Sequence, residues 1–303
     1  MSTESHPRPR ARADHDGPAV VALGGGHGLA ATLRAARSYA GPLTGIVSVG
    51  DDGGSSGRLR AEFGIAPPGD IRRCISALAT TDSLLARSLE YRFDGGALTG
   101  HPIGNLLLAG FAVAGGDFQD AIDELCRLVG AAGSLYPAAT VPIRLLADSD
   151  QGTITGEVTI GRASGIHNLR FDPPEPPTAE AAAKAVEQAD QVLVGPGSLF
   201  TSVLASAVVP GVRHALTESG GQRVFVANVA NEKGIAHGFG LAEHVQTLAD
   251  HGVPIDLVVA DAQSPRVGVP GVEVRWFDVA ADDGWGHDPA KLGPVLHGLL
   301  TER

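Results

Sequence analysis

Lysine is scarce in this chain, with three residues against twenty arginines, and cysteine is scarcer, with only Cys74 and Cys126. Two cysteines are too few for a disulfide framework and show no metal-ligand spacing, which fits a reducing compartment and leads us to expect a cytoplasmic protein. The formal net charge of −11 excludes a broad basic face, so nucleic acid is not an expected partner. Long hydrophobic runs are also missing. The most apolar stretch, NLLLAGFAVAG, is too short to span a bilayer, and no membrane insertion is expected. The first 17 residues, MSTESHPRPRARADHDG, are charged and proline-containing, lack the apolar core of a secretory signal, and read as a disordered tail.

An apolar fraction of 43% over 303 residues is ample for a packed core. Ordered sequence begins with PAVVALGGGHGLAATLRAARSYA, a β-rich run, a glycine turn and then a helical pattern. GPLTGIVSVGDDGG repeats the strand-then-glycine arrangement, and QVLVGPGSLF does so a third time. RVFVANVA, PIDLVVADA and EVRWFDVA read as further strands, separated by helical segments and followed by the C-terminal helix DPAKLGPVLHGLLTER. Such alternation predicts an α/β fold: a Rossmann-like, mostly parallel sheet with helices on both faces. The exception is VPIRLLADSDQGTITGEVTIG, where two β-rich runs flank a polar turn. It predicts a small antiparallel hairpin inserted near residues 140–177 of a single domain spanning 18–303.

In sheets of this kind ligands bind beyond the carboxyl ends of the strands, where strand order reverses. The three glycine turns all follow strands, so they are expected to share that crevice. Gly24, Gly25 and Gly26 lie between a strand and a helix, where the helix amides can meet an anion; Leu29 occupies the third position of a GxGxxG fingerprint, and a merely tight turn would use the same residues. Gly195, Gly197, Ser198 and Thr201 repeat the arrangement, with capping as the plainer reading of Ser198. Two such loops together fit a ligand with two phosphates. Asn105 in GHPIGN is a helix cap or a ligand contact, and Arg72 in PPGDIRRC supplies a positive charge or a surface ion pair. Asn228 ends a strand at the position where such folds place ligand contacts. His101 has no serine or cysteine nucleophile motif beside it, and no residue set pairs a nucleophile with a base, so no catalytic residue is expected. The other histidines, His214, His237, His244 and His251 among them, show no metalloprotease-like pattern and read as surface or structural residues.

The motifs VALGGGHGL, SVGDDGGSSGRLR, PPGDIRRCISALA, GHPIGNLLLA and VGPGSLFTSVLAS, in this order, resemble the gluconeogenesis factor family, the YvcK-like branch of the CofD superfamily. The resemblance implies a Rossmann-like cytoplasmic protein that binds uridine-diphosphate sugars such as UDP-N-acetylglucosamine and supports cell shape and envelope metabolism during gluconeogenic growth. A homo-oligomer and cell-envelope regulatory protein partners stay open as options, and the sequence leaves the oligomeric state undecided. A sister branch, 2-phospho-L-lactate transferase, is an enzyme, and a transferase of that type is the alternative; an NAD-binding oxidoreductase is the second. His27 stands where the family typically has threonine, and the segment after Asn228 departs from the family pattern.

The stretch DDGGSSG carries the remaining question, because a carboxylate about 5 Å from a phosphate repels it by roughly 3 kcal/mol at an effective dielectric of 20. Asp51 and Asp52 therefore either hold Mg²⁺ against the phosphates or turn to ribose and base donors, while Gly53, Gly54 and Ser55 supply amides and a hydroxyl. The second arrangement suits a binding protein and is the one expected. No cofactor is then required, with Mg²⁺ as the open option.

Overall fold

Unbroken apolar strands need cover on both sides, and the first strand shows how this chain provides it. In the computed structural model, which describes residues 16–230 and 239–302, every residue of β1 (Val20–Gly24) is buried. Val21 and Leu23 join the apolar layer on one face, and Val20 and Ala22 join the layer on the other.

Along the chain, β1 leads through α1 (Gly26–Ala36) to β2 (Leu43–Val47) and then α2 (Gly54–Phe63), α3 (Gly69–Leu78), α4 (Leu84–Ser88), α5 (Ile103–Gly115) and α6 (Phe118–Val129) before β3 (Ser134–Pro137). An inserted layer follows: β4 (Arg144–Ser149), β5 (Gly152–Thr155), α7 (Glu157–Ile160) and β6 (Ile166–Asp172). The chain returns through α8 (Glu180–Glu187) to β7 (Gln191–Val194), a π-helical segment over Leu199–Leu204, α9 (Ala205–Ala207), α10 (Pro210–Glu218) and β8 (Gln222–Val226). It closes with α11 (Leu241–Asp250), β9 (Leu257–Asp261), β10 (Glu273–Phe277) and α12 (Pro289–Thr301).

The main sheet has seven strands in the order β10-β9-β8-β7-β1-β2-β3, and all its pairings are parallel. The expected α/β class is therefore what forms. Strand order reverses between β1 and β7. From β1 the chain winds outward through β2 to β3, and from β7 it winds the opposite way through β8 and β9 to β10. A crevice opens at such a reversal because the connections on either side leave in opposite directions.

The inserted layer corrects the expected hairpin in two respects. It is a three-stranded antiparallel sheet, β5-β4-β6, whose third strand was not anticipated. In addition, EVTI of the second β-rich run is the helix α7 rather than strand. Asp52, more than a hundred residues earlier, accepts hydrogen bonds from the first two α7 amides, Glu157 at 3.1 Å and Val158 at 3.0 Å. A distant carboxylate cap overrides the β preference of Val158, Thr159 and Ile160. β3 was likewise not read from the sequence, its four residues being too short a run to stand out. No single helix among the described residues is long and apolar enough to cross a membrane. The expected tail lies outside the described residues except for Asp16 and Gly17, and so does His237.

Candidate functional site at the strand-order reversal

The loops after β1 and β7 meet backbone to backbone. Gly28, in the first turn of α1, approaches Pro196 so closely that an added Cβ would lie 2.2 Å from the Pro196 carbonyl oxygen. Thr32, one turn further along α1, donates to the Gly195 carbonyl at 3.0 Å. The glycines are needed for this approach. Gly26, Gly195 and Gly197 also have φ of +62°, +82° and +150°, which side chains on Cβ disfavour.

Both loops already spend one amide on a side chain of the same protein. Gly26 donates to Asp70 Oδ2 at 2.7 Å, and the other Asp70 oxygen accepts from Arg73 at 2.6 Å. Burial raises the Asp70 pKa above the ordinary carboxylate range despite that arginine, and the nearby charge of Asp51 adds to the rise. Gly197 donates to Asn228 Oδ1 at 2.9 Å, while Asn228 Nδ2 donates back to the Gly197 carbonyl at 3.0 Å. This two-point clasp ties the end of β8 to the second loop. Gly25 is held between them: an added Cβ there would meet Asp70 Oδ2 at 2.6 Å and Ser202 Oγ at 3.2 Å.

Asp51 and Asp52 take separate paths. Asp51 Oδ1 accepts from the Gly53 amide at 2.9 Å, and the residue stays at the crevice, where its charge acts on Asp70 and Glu157. Asp52 turns outward to cap α7. Its cap brings Glu157 over the crevice, where the Glu157 carboxylate is hydrogen-bonded to Thr201. Burial, then Asp51 and Asp52, push the Glu157 pKa up to about 7, so this group carries a proton for part of the time at neutral pH. Among the described residues, no group of three or more His, Cys, Asp or Glu side chains is arranged to hold a metal ion.

On the β2 side of the crevice, the first turns of α2 and α5 face each other. Asn105 Nδ2 donates to Ser55 Oγ at 3.0 Å, and Ser55 Oγ lies 2.8 Å from His101 Nδ1. Burial, then Arg58, lower the His101 pKa, so the ring is a neutral imidazole whose Nδ1 shares one hydrogen bond with the serine hydroxyl. A hydroxyl paired with an imidazole is the pairing the sequence was not expected to contain. The two residues are 46 positions apart, and only the packing of α2 against α5 joins them. Arg72 is 2% exposed, pairs with Glu90 at 3.1 Å and lays its stem against Gly104. Two buried atoms here have no partner among the described residues: Asn105 Oδ1 and Arg72 Nε. His27 is exposed at the rim of the first loop, Gly54 opens α2 with φ of +49°, and Ser198 precedes the π-helical segment.

At the other end, beyond the carboxyl ends of β8 and β9, lies a cavity of about 390 Å³ that begins at Asn228. Phe225, Phe239 and His244 form an aromatic wall, with His244 inclined 25° to Phe225 at a centroid distance of 6.5 Å. Asp261 also borders it, yet its carboxylate accepts from the amides of Gln263, Val279 and Ala280. His244, read from the sequence as a surface or structural residue, lines this cavity with its Nδ1 2.8 Å from the Gly240 carbonyl oxygen. Sequence reasoning had Gly28 only as the end of the GGGHG turn, read Asp70 as a helix cap or a surface ion-pair partner, and missed Glu157 as part of the site. Glu157 has no local signal.

The CofD model, described as 2-phospho-L-lactate transferase CofD, matches residues 20–270. A Mycobacterium tuberculosis protein named "Putative gluconeogenesis factor" is 40% identical over 308 residues, covering 93% of this chain and 90% of the relative. A protein of Halalkalibacterium halodurans named gluconeogenesis factor is 39% identical over 246 residues, covering 79% of this chain and 76% of the relative. The crystal structure of a UPF0052-family protein from Bacillus halodurans superposes with a TM-score of 0.88 at 32% identity, covering 93% of this chain and 99% of that one.

Proposed function

The chain belongs to the CofD family and resembles gluconeogenesis factors along most of its length, and from that premise we propose that it binds a uridine-diphosphate sugar. In this reading it is a cytoplasmic regulatory protein, acting on cell-envelope metabolism and cell shape during gluconeogenic growth. The observation that carries the proposal is the meeting of two glycine loops, Gly24–Gly28 and Gly195–Ser198, at the reversal of strand order. Amides at two helical starts on facing loops suit a diphosphate better than a single anion.

The charge around those loops bears on how the diphosphate arrives. Asp51, Asp70 and Glu157 interact with one another electrostatically, and Arg73, the cation paired with Asp70, offsets only part of their charge. Mg²⁺ usually binds through one or two carboxylates plus substrate phosphates, so a cation carried in on the diphosphate would be met by Asp51, both Asp70 oxygens being engaged by Gly26 and Arg73. Bound there it would neutralise phosphate charge. With Asp52 engaged on α7, Asp51 is the one of the pair left to face ligand. Isothermal titration with UDP-N-acetylglucosamine, GDP and NAD, each with Mg²⁺ and with EDTA, tests the proposal. Selective binding of the uridine nucleotide supports it, and preference for GDP or NAD rejects it.

The Ser55–His101 hydrogen bond favours a second reading, a transferase like the family's phospholactate enzyme, because a hydroxyl beside a neutral imidazole is the arrangement of an activated nucleophile. Incubation with the nucleotide sugar, Mg²⁺ and cell extract separates the two. Sustained, protein-dependent nucleotide release would establish the transferase.

A further inference from the structure

The two ends of the crevice differ in chemistry, and we infer that they fix the direction in which the nucleotide sugar lies. The base and ribose occupy the aromatic cavity at the ends of β8 and β9; the sugar occupies the polar end between the first turns of α2 and α5. This inference rests on the nucleotide-sugar reading above and adds to it a placement for each part of the ligand.

The cavity end suits a flat, uncharged ring. Its wall is Phe225, Phe239 and His244, and among the described residues that line it the one carboxylate, on Asp261, is occupied by three backbone amides. Aromatic faces favour stacking with another ring. The cavity begins at Asn228, which clasps Gly197 in the second glycine loop. At about 4.8 Å per strand, β8 lies about 10 Å from β1 across the sheet, which leaves room for a ribose between the base and the phosphates.

The α2–α5 end suits a polyhydroxylated ring. Asn105 Oδ1 is an acceptor without a partner on a residue only 1% exposed, and Arg72 Nε is a buried donor without one. They stand on neighbouring elements, since the Arg72 stem packs on Gly104, the residue before Asn105. A buried polar atom left unpaired lowers stability, and a ligand that pairs it recovers that loss. Sugar hydroxyls donate and accept at once, so one ring can serve both atoms. Ser55 adds a third polar contact. Its Oγ accepts from the Asn105 amide and shares a hydrogen bond with His101 Nδ1, which leaves one further hydrogen bond that a sugar hydroxyl, being both donor and acceptor, can complete in either direction.

The test compares UDP with UDP-N-acetylglucosamine by calorimetry at each end. His244→Ala and the cavity-filling Ala280→Leu should weaken both ligands by the same factor, about tenfold, leaving their ratio as in wild type. Asn105→Ala and Ser55→Ala should cut the preference for the sugar nucleotide over UDP by about fivefold or more. Thermal melts confirm that each variant is folded. In the unaltered protein, photolabelling with 5-azido-UDP-N-acetylglucosamine should mark peptides from residues 239–267. Labelling confined to residues 51–60 or 101–110, or exchange of the two ratio effects, would overturn the orientation while leaving the nucleotide-sugar reading standing. Failure of wild-type protein to bind either uridine nucleotide would overturn that reading and the orientation with it.

Discussion

Asp70 accepts the Gly26 amide at 2.7 Å, so the N-terminus of α1 already holds an anion supplied by its own chain. A phosphate brought to the same loop meets that carboxylate. Asp70→Asn keeps an acceptor for Gly26 and removes the charge, whose repulsion of a phosphate at about 5 Å is at most about 3 kcal/mol at a dielectric of 20. Affinity for UDP measured in EDTA should rise about fivefold or more. Equal or weaker binding by a folded variant would show that the Asp70 charge does not face the ligand.

The contact between Gly28 and Pro196 makes a second prediction about the meeting of the loops. An alanine methyl at 28 would stand 2.2 Å from a backbone oxygen, so the two loops must separate. Gly28→Ala should lower stability by about 1–3 kcal/mol, the usual cost of overpacking. Gly26→Ala meets no atom within 4 Å and strains only its φ of +62°, for about 1–2 kcal/mol. Urea unfolding of both decides it. If Gly28→Ala unfolds at the wild-type midpoint, the loops are not in contact in solution.

Asp52 holds the inserted layer to the crevice through α7, so its removal should loosen that layer locally. Asp52→Ala loses a two-amide cap worth about 1 kcal/mol. Limited proteolysis should then cut between residues 156 and 165 several times faster than in wild type. Wild-type cleavage kinetics would mean that other contacts alone hold α7.

Two groups should shape the pH dependence of stability, with opposite signs. Burial lowers the His287 pKa from 6.5 to about 4, so the unfolded chain takes up the proton first. Its contribution is complete above pH 6.5 and is lost as pH falls toward 4, by about 3 kcal/mol at most. Glu157, raised from 4.5 to about 7, acts in reverse: stability falls as pH rises across that interval, by about 1 kcal/mol once solvent screening of a half-buried group is allowed for. His287→Gln should flatten the acid limb of a melting-temperature profile, and Glu157→Gln should raise stability at pH 8 relative to pH 5. An acid limb that survives His287→Gln unchanged would assign the effect elsewhere.

The sequence by itself determined the parallel sheet and the loops at its edge. Apolar runs such as VVALG and VFVAN are short-range signals, and each is followed by glycines whose missing Cβ atoms are legible residue by residue. The rule that ligands gather at the reversal of strand order then placed Gly24–Gly26 and Gly195–Ser198 together. What only the tertiary structure decided is which carboxylate, hydroxyl and ring meet across that edge. Asp51 and Asp52 are adjacent and chemically identical, yet one stays at the crevice and the other caps a helix of the inserted layer. Ser55 and His101 form a pair because α2 packs on α5, and the Glu157 pKa rises to about 7 because folding buries it beside other acids. Orientation, burial and partner choice are properties of side chains brought together from distant positions, and local sequence carries no signal of them.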